Sequence, residues 1–333
     1  MSLQNHRSGV ILGKFLPPHL GHKFLFDFAS SFVDDLTILV EGPERDPIPG
    51  ELRQKWVQEL APKAKVLLLK DDNPQYPEES ERFWEIWKNS IESLVKGADL
   101  LFASDHYGAK LAEVLGAKWI PVDPPRDHLQ IRASQIRENP AKYWDFIPAN
   151  VKPFFTKKIV IFGPESTGKS TLTKQLAEHF NTNYVNEYAR TLIETQNGQC
   201  AFDDIEFIAH GQISLEEAAS RNANRILFCD TDILTTKLWS EELFGRSPEW
   251  LDNEIKNRDY YFTLLLNIDL PWIKDPVRYL PEKRDAWLEL CKLSLEKHDR
   301  RYAIISGEGQ TRLDRAIKAV SEFDSQNLKL LTY

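Results

Sequence analysis

The segment GPESTGKS, residues 163–170, places glycines, hydroxyl side chains and a lysine at a spacing that suits phosphate binding. Glycines let the backbone bend until several N–H groups point at the same phosphate oxygens. The apolar run 159–162 before the segment and the amphipathic run after it predict a strand and a helix, and a helix N-terminus adds partial positive charge. We therefore predict a loop that binds a nucleoside triphosphate, with Lys169 at the β- and γ-phosphates and the Ser170 hydroxyl at Mg²⁺. The same site would include Gly163, Pro164, Glu165, Ser166, Thr167, Gly168 and Thr171.

Three carboxylates follow predicted strands in the same half of the chain. Asp230 and Asp232 close the stretch RILFCDTD, and Glu187 follows the short run 183–185. Because ligands of an open α/β sheet lie outside the carboxyl ends of its strands, we expect Asp230 beside Mg²⁺ and Glu187 at the hydroxyl group of an acceptor substrate. Asp232 is open to two interpretations: a second candidate for that proton-accepting role, or the N-cap of a helix that begins at Ile233.

The segment 270–287 concentrates cations and aromatic side chains between prolines. Lids of this composition bring positive charge to a transferring phosphoryl group, and we predict such a lid here; the alternative is a solvated loop with ordinary charges. Arg190, three residues after Glu187, is a further substrate-side candidate, and its alternative is a surface ion pair with that glutamate. The substrate and lid candidates are Arg190, Trp272, Arg278 and Arg284.

A second group of candidates lies near the start of the chain, in GKFLPPHLGH, residues 13–22. His19 and His22 have the spacing of two metal ligands on one helix, but a zinc site needs three or four ligands, and no other histidine in this half has a paired spacing. Helix-start amides, two imidazoles and Lys14 would instead hold a polyphosphate. We predict that anion site, with helix capping by His22 and simple exposure of Lys14 as the alternatives.

The composition limits the class of protein. A length of 333 residues predicts two domains, and the excess of 50 acidic over 42 basic side chains argues against a surface that coats nucleic acid. The three cysteines are widely spaced, which fits a reducing cytosol and supports neither a zinc ribbon nor a redox pair. The longest apolar runs fall far short of the ~20 residues of a membrane helix. We therefore expect a cytoplasmic protein without membrane insertion.

Short apolar runs alternate with longer amphipathic runs along the whole chain, which is the pattern of a parallel sheet covered by helices on both faces. Pro140, Pro148 and Pro153 interrupt the stretch 138–158, where we place a linker; the alternative is a surface loop within one domain. The predicted fold class is α/β, with two doubly wound parallel-sheet domains at residues 1–140 and 157–333 and a linker at 141–156.

Three segments of the first half resemble known sequence signatures. GKFLPPHLGH resembles the G-x-F-x-P-x-H-x-G-H signature of the nucleotidylyltransferase superfamily. IRASQIR, residues 131–137, is similar to that superfamily's I-S-x-T-x-I-R segment, although Arg132 stands at the usual serine and Ser134 at the usual threonine. ASDHYG, residues 103–108, resembles the segment that these enzymes place near the adenine.

This resemblance implies a Rossmann-like domain that transfers the adenylyl group of ATP. The residues that would carry positive charge on the triphosphate are Lys14, His19, His22 and Arg137. The residues that would contact ATP beside them are Gly13, Phe15, Gly21, Ser104, Tyr107 and Ser134.

The order of the motifs resembles one bifunctional family more closely. A nucleotidylyltransferase followed by a P-loop kinase, with the segments NPAKYWDFIPANVKPFF, NEYAR, CDTDILTT and PWIKDPVR, is similar to the NadR type. That resemblance implies a nicotinamide-nucleotide adenylyltransferase at 1–140 and a ribosylnicotinamide kinase at 157–333. The kinase would convert nicotinamide riboside to nicotinamide mononucleotide (NMN). The first domain would join NMN to a second ATP, giving NAD and pyrophosphate, and Mg²⁺ would be the cofactor.

Two other functions are compatible with the motifs. A fusion that makes coenzyme A from phosphopantetheine shares both nucleotide motifs, although the linker and NEYAR favour the nicotinamide enzyme. The second is an ATP- or NAD-sensing regulator, since some NadR-type members carry an N-terminal helix-turn-helix domain. Because the chain starts about nine residues before its first predicted strand and its charge balance is acidic, we expect neither that domain nor DNA binding. A homo-oligomer is compatible with the sequence, which does not define the number of subunits.

Overall fold

The computed structural model describes residues 7–273 and 281–327. The chain divides into two compact units, residues 1–151 and residues 152–333. This boundary lies inside the proline-interrupted stretch. Trp144, Ile147 and Val151 from that stretch are buried, and the Asn150 amide donates to the Trp56 carbonyl at 3.0 Å, so residues 141–151 pack as part of the first unit.

The first unit is built on one five-stranded parallel sheet with the strand order β3-β2-β1-β4-β5. Its strands are β1 (Ser8–Gly13), β2 (Asp35–Glu41), β3 (Lys65–Leu69), β4 (Leu100–Ala103) and β5 (Lys118–Pro121). Its helices are α1 (Leu20–Phe32), α2 (Gly50–Leu60), α3 (Phe83–Leu94), α4 (Tyr107–Leu115) and α5 (Ala133–Glu138). The strand order reverses at β1, so that β1 pairs with β2 on one side and β4 on the other; ligands of such sheets bind at this point.

Strands of this sheet are apolar on both faces because helices cover both. Ile11 and Phe102 pack with Phe26 of α1 and Val57 of α2 on one face. Their chain neighbours Val10 and Leu101 pack with α3 and α4 on the other. Successive side chains of a strand point to opposite faces, so continuous apolar runs such as GVIL are what a doubly covered parallel strand requires.

The second unit repeats this architecture with the strand order β10-β9-β6-β8-β7. Its strands are β6 (Lys157–Phe162), β7 (Tyr184–Val185), β8 (Ile226–Asp230), β9 (Phe262–Leu266) and β10 (Tyr302–Ile305). Its helices are α6 (Lys152–Phe155), α7 (Lys169–His179), α8 (Tyr188–Thr195), α9 (Asp204–Ser220), α10 (Ile233–Phe244), α11 (Glu249–Asn257), α12 (Arg284–Lys297) and α13 (Gly309–Asn327).

The predicted fold class is confirmed: the chain contains two doubly wound parallel sheets with helices between the strands. The short run NYV forms the two-residue edge strand β7. No helix in the described ranges combines the length and the apolar character that crossing a bilayer demands.

Candidate active sites

A cleft of about 850 Å³ opens in the first unit at the carboxyl ends of β1 and β4. The loop after β1, the segment after β4 and the start of α5 border it, although they are distant in sequence. All the residues that the sequence assigns to this site line the cleft, namely Gly13, Lys14, Phe15, His19, Gly21, His22, Ser104, Tyr107, Ser134 and Arg137.

His19 and His22 cap the start of α1 together. His19 is the N-cap residue, its Nδ1 accepts the His22 backbone N–H at 3.4 Å, and its own N–H donates to His22 Nδ1 at 3.2 Å. Since each Nδ1 is an acceptor, the proton of each neutral ring lies on Nε2. Gly21 permits this arrangement, because a Cβ atom there would lie 3.0 Å from the His19 ring. Capping by His22 and phosphate binding therefore do not compete, since they use different nitrogens.

Both imidazoles are neutral in this environment. Burial and the nearby Arg126 lower the pKa of His19 to about 4. Burial, His19 and Arg126 hold the pKa of His22 well below its usual range. The histidines can donate hydrogen bonds to phosphate oxygens, and the positive charge of the cleft comes from arginine and lysine.

The cations of this cleft are held by neighbouring groups. Lys14 Nζ lies 3.9 Å from Glu41 Oε1, and the Arg137 guanidinium donates to the Leu16 carbonyl. Arg126, which sequence reasoning missed, lines the same cleft with its backbone at φ 59° and pairs with Asp105 at 3.1 Å. Its only sequence signal is a cation in the turn PPRDH ahead of IRASQIR.

Arg132 occupies the N-cap of α5. Its backbone keeps the extended conformation of a cap residue, and its N–H donates to Gln135 Oε1 at 2.8 Å. A guanidinium has no acceptor atom, so the hydrogen bond that a serine oxygen at this position would accept from a backbone N–H of the first helical turn is lost. The loop and the helix nevertheless form, beginning at Ala133.

Tyr107, which lines this cleft, is backed by a second aromatic ring. The Tyr107 ring stacks on Trp84 with centroids 5.0 Å apart and planes at 28°. Burial and the charge of Glu41 raise the pKa of Tyr107 to about 12, so it stays a neutral phenol. The sequence assigned Tyr107 to the site but did not identify Trp84, because the α3 pattern has several aromatic residues that serve equally well as core.

In the second unit the predicted phosphate loop connects β6 to α7 and lines a second cleft from Glu165 to Thr171. Gly163 and Gly168 adopt φ 132° and 82°, values that favour glycine, and Ser166 adopts φ 57°. Lys169 Nζ donates to the carbonyls of Gly163 at 3.0 Å and Pro164 at 2.9 Å. Gly163 and Pro164 shape the loop, but they do not line the cleft itself.

Asp230 stands at the carboxyl end of β8, beside the start of α7. Burial raises its pKa, while Lys169 and a hydrogen bond from the Ser170 hydroxyl oppose that shift. Its Oδ1 is buried and has no hydrogen-bond partner among the described residues. An unpartnered carboxylate oxygen next to a serine hydroxyl fits Mg²⁺, which takes few protein oxygens and completes its shell with phosphate and water. The described residues contain no group of three or more His, Cys, Asp or Glu that could hold a metal ion.

Glu187 lines the same cleft at the start of α8. Burial and the negative charge of Asp230 raise its pKa to about 7, against the opposing effects of Lys169 and Arg190. A carboxyl with that pKa can accept a proton from a hydroxyl near neutral pH. Arg190 also lines the cleft, and its Nη1 lies 3.3 Å from Glu194 Oε1.

Asp232 does not line the cleft. One of its carboxylate oxygens accepts the backbone N–H groups of Leu234 at 3.1 Å and Thr235 at 3.2 Å, and the other lies 3.6 Å from Arg300. The structure therefore favours the helix-cap interpretation over the proton-accepting one, because both oxygens are already committed.

The predicted lid is seen only in part. Arg278 lies outside the described residues, and Trp272 is half-buried but does not line the cleft. Arg284 donates to the Leu270 carbonyl at 3.0 Å and to the Ser166 carbonyl at 3.3 Å. It thus ties the segment after β9 to the phosphate loop, a bracing role that the sequence did not predict.

Helices α9 and α10 make another wall of this cleft. It carries Ile205, Ile208, Gln212, Thr235, Thr236, Trp239 and Leu243. Trp239 packs on the buried Trp287 with ring centroids 4.3 Å apart. Sequence reasoning missed these residues because an amphipathic helix that faces a cleft has the same periodicity as one that faces the core.

Known proteins resemble this chain over part or nearly all of its length. The family described as AAA domain matches residues 158–312, which include the phosphate loop. Two curated proteins are similar to nearly all or most of the chain. The trifunctional NAD biosynthesis/regulator protein NadR of Escherichia coli (strain K12) is 31% identical over 345 residues, covering 96% of this chain and 84% of that protein. Its counterpart in Salmonella typhimurium (strain LT2) is 31% identical over 299 residues, covering 83% and 73%.

Two solved structures share the fold over 98% of both chains. One is NadR protein in complex with NR, with a TM-score of 0.73 and 24% identity. The other is NadR protein in complex with NAD and AMP-PNP, with a TM-score of 0.73 and 23% identity. With a full-length fold match and curated relatives above 30% identity, the chain belongs to the NadR family.

Proposed function

We propose that this chain is a bifunctional enzyme of NAD biosynthesis. Residues 152–333 phosphorylate nicotinamide riboside to NMN with ATP, and residues 1–151 transfer the adenylyl group of a second ATP to NMN. The observation that carries the proposal is that each unit has its own phosphate-binding cleft, built on a different loop, at the carboxyl end of its own sheet. The curated relatives are named for NAD biosynthesis, which identifies the pathway.

In the kinase unit, the riboside hydroxyl attacks the γ-phosphorus of ATP. Lys169 and the loop amides hold the β- and γ-phosphate oxygens, and Glu187 takes the hydroxyl proton. Ser170 and Asp230 would hold Mg²⁺, which when bound neutralises charge on the phosphates. The apolar residues of the α9–α10 wall accommodate the nicotinamide ring, and Arg190 borders the same cleft.

In the adenylyltransferase unit, the phosphate of NMN attacks the α-phosphorus of ATP and pyrophosphate leaves. The attacking phosphate is already ionised, so no general base is needed, and the histidines need not change protonation state. His19 and His22 donate from Nε2, while Lys14, Arg126 and Arg137 supply positive charge. ATP is thus a substrate of both units.

The two half-reactions test this proposal separately. Purified chain with nicotinamide riboside and ATP should give NMN and ADP, and with NMN and ATP should give NAD and pyrophosphate. Phosphopantetheine with ATP is the matched comparison, and formation of a coenzyme A precursor from it would contradict the proposal. Omission of Mg²⁺ should stop the riboside reaction, because the cation that Ser170 and Asp230 would hold is then missing and the phosphate charge is not neutralised.

We also propose that the chain acts in the cytoplasm and does not bind DNA. The acidic balance of 50 against 42 charges supports the second point. Fluorescence anisotropy with duplex DNA at physiological salt tests it, and salt-dependent binding in the micromolar range or tighter would favour the regulator instead.

A further inference from the structure

Arg53 on α2 is fully buried, an unusual place for a guanidinium. Its Nε donates to the Ile48 carbonyl at 2.9 Å, and its Nη2 pairs with Asp46 at 2.7 Å. Its Nη1 donates to two carbonyls, those of Lys14 and Glu41. Burying a charge is unfavourable unless it is paired and hydrogen-bonded, and here every nitrogen of the group has a partner.

These partners belong to the ends of two neighbouring strands, and one of them, Lys14, lines the adenylyltransferase cleft. Lys14 follows β1, whereas Glu41 ends β2 and leads into the loop that carries Asp46 and Ile48. One side chain therefore fixes the distance between the ends of two neighbouring strands. The two ends of the loop after β2 approach each other closely, since a Cβ atom on Gly42 would lie 2.8 Å from the Gly50 Cα.

The other end of Lys14 is held by the same neighbour. Its ammonium lies 3.9 Å from the carboxylate of Glu41, which is 5% exposed and accepts a hydrogen bond from the Gln75 amide. Arg53 holds the backbone carbonyls of both Lys14 and Glu41. The position of the Lys14 charge at the cleft thus depends on Arg53 twice, once directly and once through Glu41.

We propose that Arg53 is a positioning residue for adenylyl transfer, which acts by placing the Lys14 ammonium against the triphosphate. Arg53 and Glu41 do not line the cleft, so their effect must pass through Lys14. This inference rests on the proposed adenylyltransferase activity of the first unit. The inference concerns how the Lys14 ammonium is positioned in that site, whereas the proposed function concerns which reaction occurs there.

A double-mutant cycle separates positioning from general stabilisation. Arg53→Lys keeps the charge but loses the planar fork that reaches two carbonyls and a carboxylate. We expect it to lower kcat/KM for NAD formation from NMN by on the order of 10²-fold, as a misplaced contact does. In a Lys14→Ala background the same change should lower kcat/KM less than about twofold, because the group it positions is gone. An equal loss in both backgrounds would overturn the proposal.

Controls keep the test independent of folding. Glu41→Gln leaves Arg53 in place and should lower kcat/KM only when Lys14 is present; no loss in that variant would equally overturn the proposal. Arg82→Lys, at an exposed arginine of the same unit, is the matched control and should change neither rate nor melting temperature. Riboside phosphorylation should be normal in every variant. If the unaltered chain makes no NAD from NMN, the proposed function itself fails.

Discussion

The imidazoles of His19 and His22 are stacked with ring centroids 3.7 Å apart, and each accepts the backbone N–H of the other residue. The spacing that suggests two metal ligands is therefore a reciprocal helix cap. It orients both Nε2–H groups as donors, which is the protonation state that a phosphate oxygen needs. Metal binding would instead require an unprotonated ring nitrogen, either Nε2 without its proton or Nδ1 released from its hydrogen bond to the backbone.

The first prediction concerns this protonation state. In ¹⁵N-labelled chain without nucleotide, both histidines should be neutral Nε2–H tautomers at pH 7, and His19 should titrate near pH 4 because burial and Arg126 disfavour its cation. Nitrogen shifts measure the tautomer, with assignment by single His→Ala variants. A titration midpoint near 6.5, or a proton on Nδ1, would contradict the capping geometry.

The same lowered pKa has a consequence for stability. The unfolded chain binds a proton at His19 near pH 6.5, whereas the folded chain binds it only near pH 4. The free energy of unfolding of the first unit should therefore fall as the pH falls between these values. His106→Ala, at an exposed histidine of that unit, should leave this pH dependence unchanged.

A second prediction distinguishes the proton-accepting role of Glu187 from the helix-capping role of Asp232. Glu187→Gln should lower riboside phosphorylation by on the order of 10²–10⁴-fold, as loss of a general base does. Asp232→Asn keeps an acceptor for the cap but loses the buried ion pair with Arg300, so it should lower the free energy of unfolding and preserve the rate within a few-fold. Glu178→Gln, at an exposed carboxylate on α7, is the control. A larger loss of rate in Asp232→Asn than in Glu187→Gln would reverse the assignment.

The third prediction is a pH profile. Because the reactive form of Glu187 is the carboxylate and its pKa is about 7, kcat/KM for the riboside should fall below pH 7 when ATP is subsaturating. The residual activity of Glu187→Gln should lack this acid limb. The raised pKa also means that stability falls as the pH rises from 4.5 through 7, so the same variant should gain relative stability at pH 8. A profile that is flat from pH 6 to 8 would exclude Glu187 as the base.

A fourth prediction concerns Arg132, the departure from the superfamily segment. Since the loop and α5 form with Arg132 at the N-cap, adenylyl transfer from ATP to supplied NMN should be intact in the unaltered chain. Arg132→Ser restores an acceptor at the cap and should raise the free energy of unfolding by about 1 kcal/mol. Chemical denaturation measures the change, and an unchanged or lowered stability would show that the cap is already satisfied.

The sequence predicted the site residues that lie in recognisable motifs and missed those that reach a site from outside any motif. Both phosphate loops lie between a strand and a helix in a short stretch of chain, and the alternation of apolar runs fixed the fold class. Asp232 shows the limit, because a carboxylate after a strand serves equally as a cap or as a base until its hydrogen bonds are known. Arg126 reaches its cleft from a loop with no motif of its own, and Trp84 supports Tyr107 from a helix with no motif either.

Arg53 is the clearest case of information absent from the pattern. In GELRQKWVQEL it reads as a polar position of an amphipathic helix. Its burial depends on carbonyls that belong to two loops, one of them 39 residues away in the chain. Arg284 behaves similarly, because its partner carbonyls come from the phosphate loop and the segment after β9. Side-chain-to-carbonyl contacts of this kind leave no periodicity to detect.

The central claim is that two independent sites catalyse two successive reactions, and reciprocal inactivation tests it most directly. His19→Ala should lower NAD formation from NMN by on the order of 10²–10³-fold, as loss of a preorganised donor does, while nicotinamide riboside is still converted to NMN. Lys169→Met should abolish phosphorylation of the riboside and leave NAD formation from supplied NMN normal. If either variant, shown to be folded by circular dichroism and melting temperature, loses both half-reactions together, the account of two separate sites is wrong.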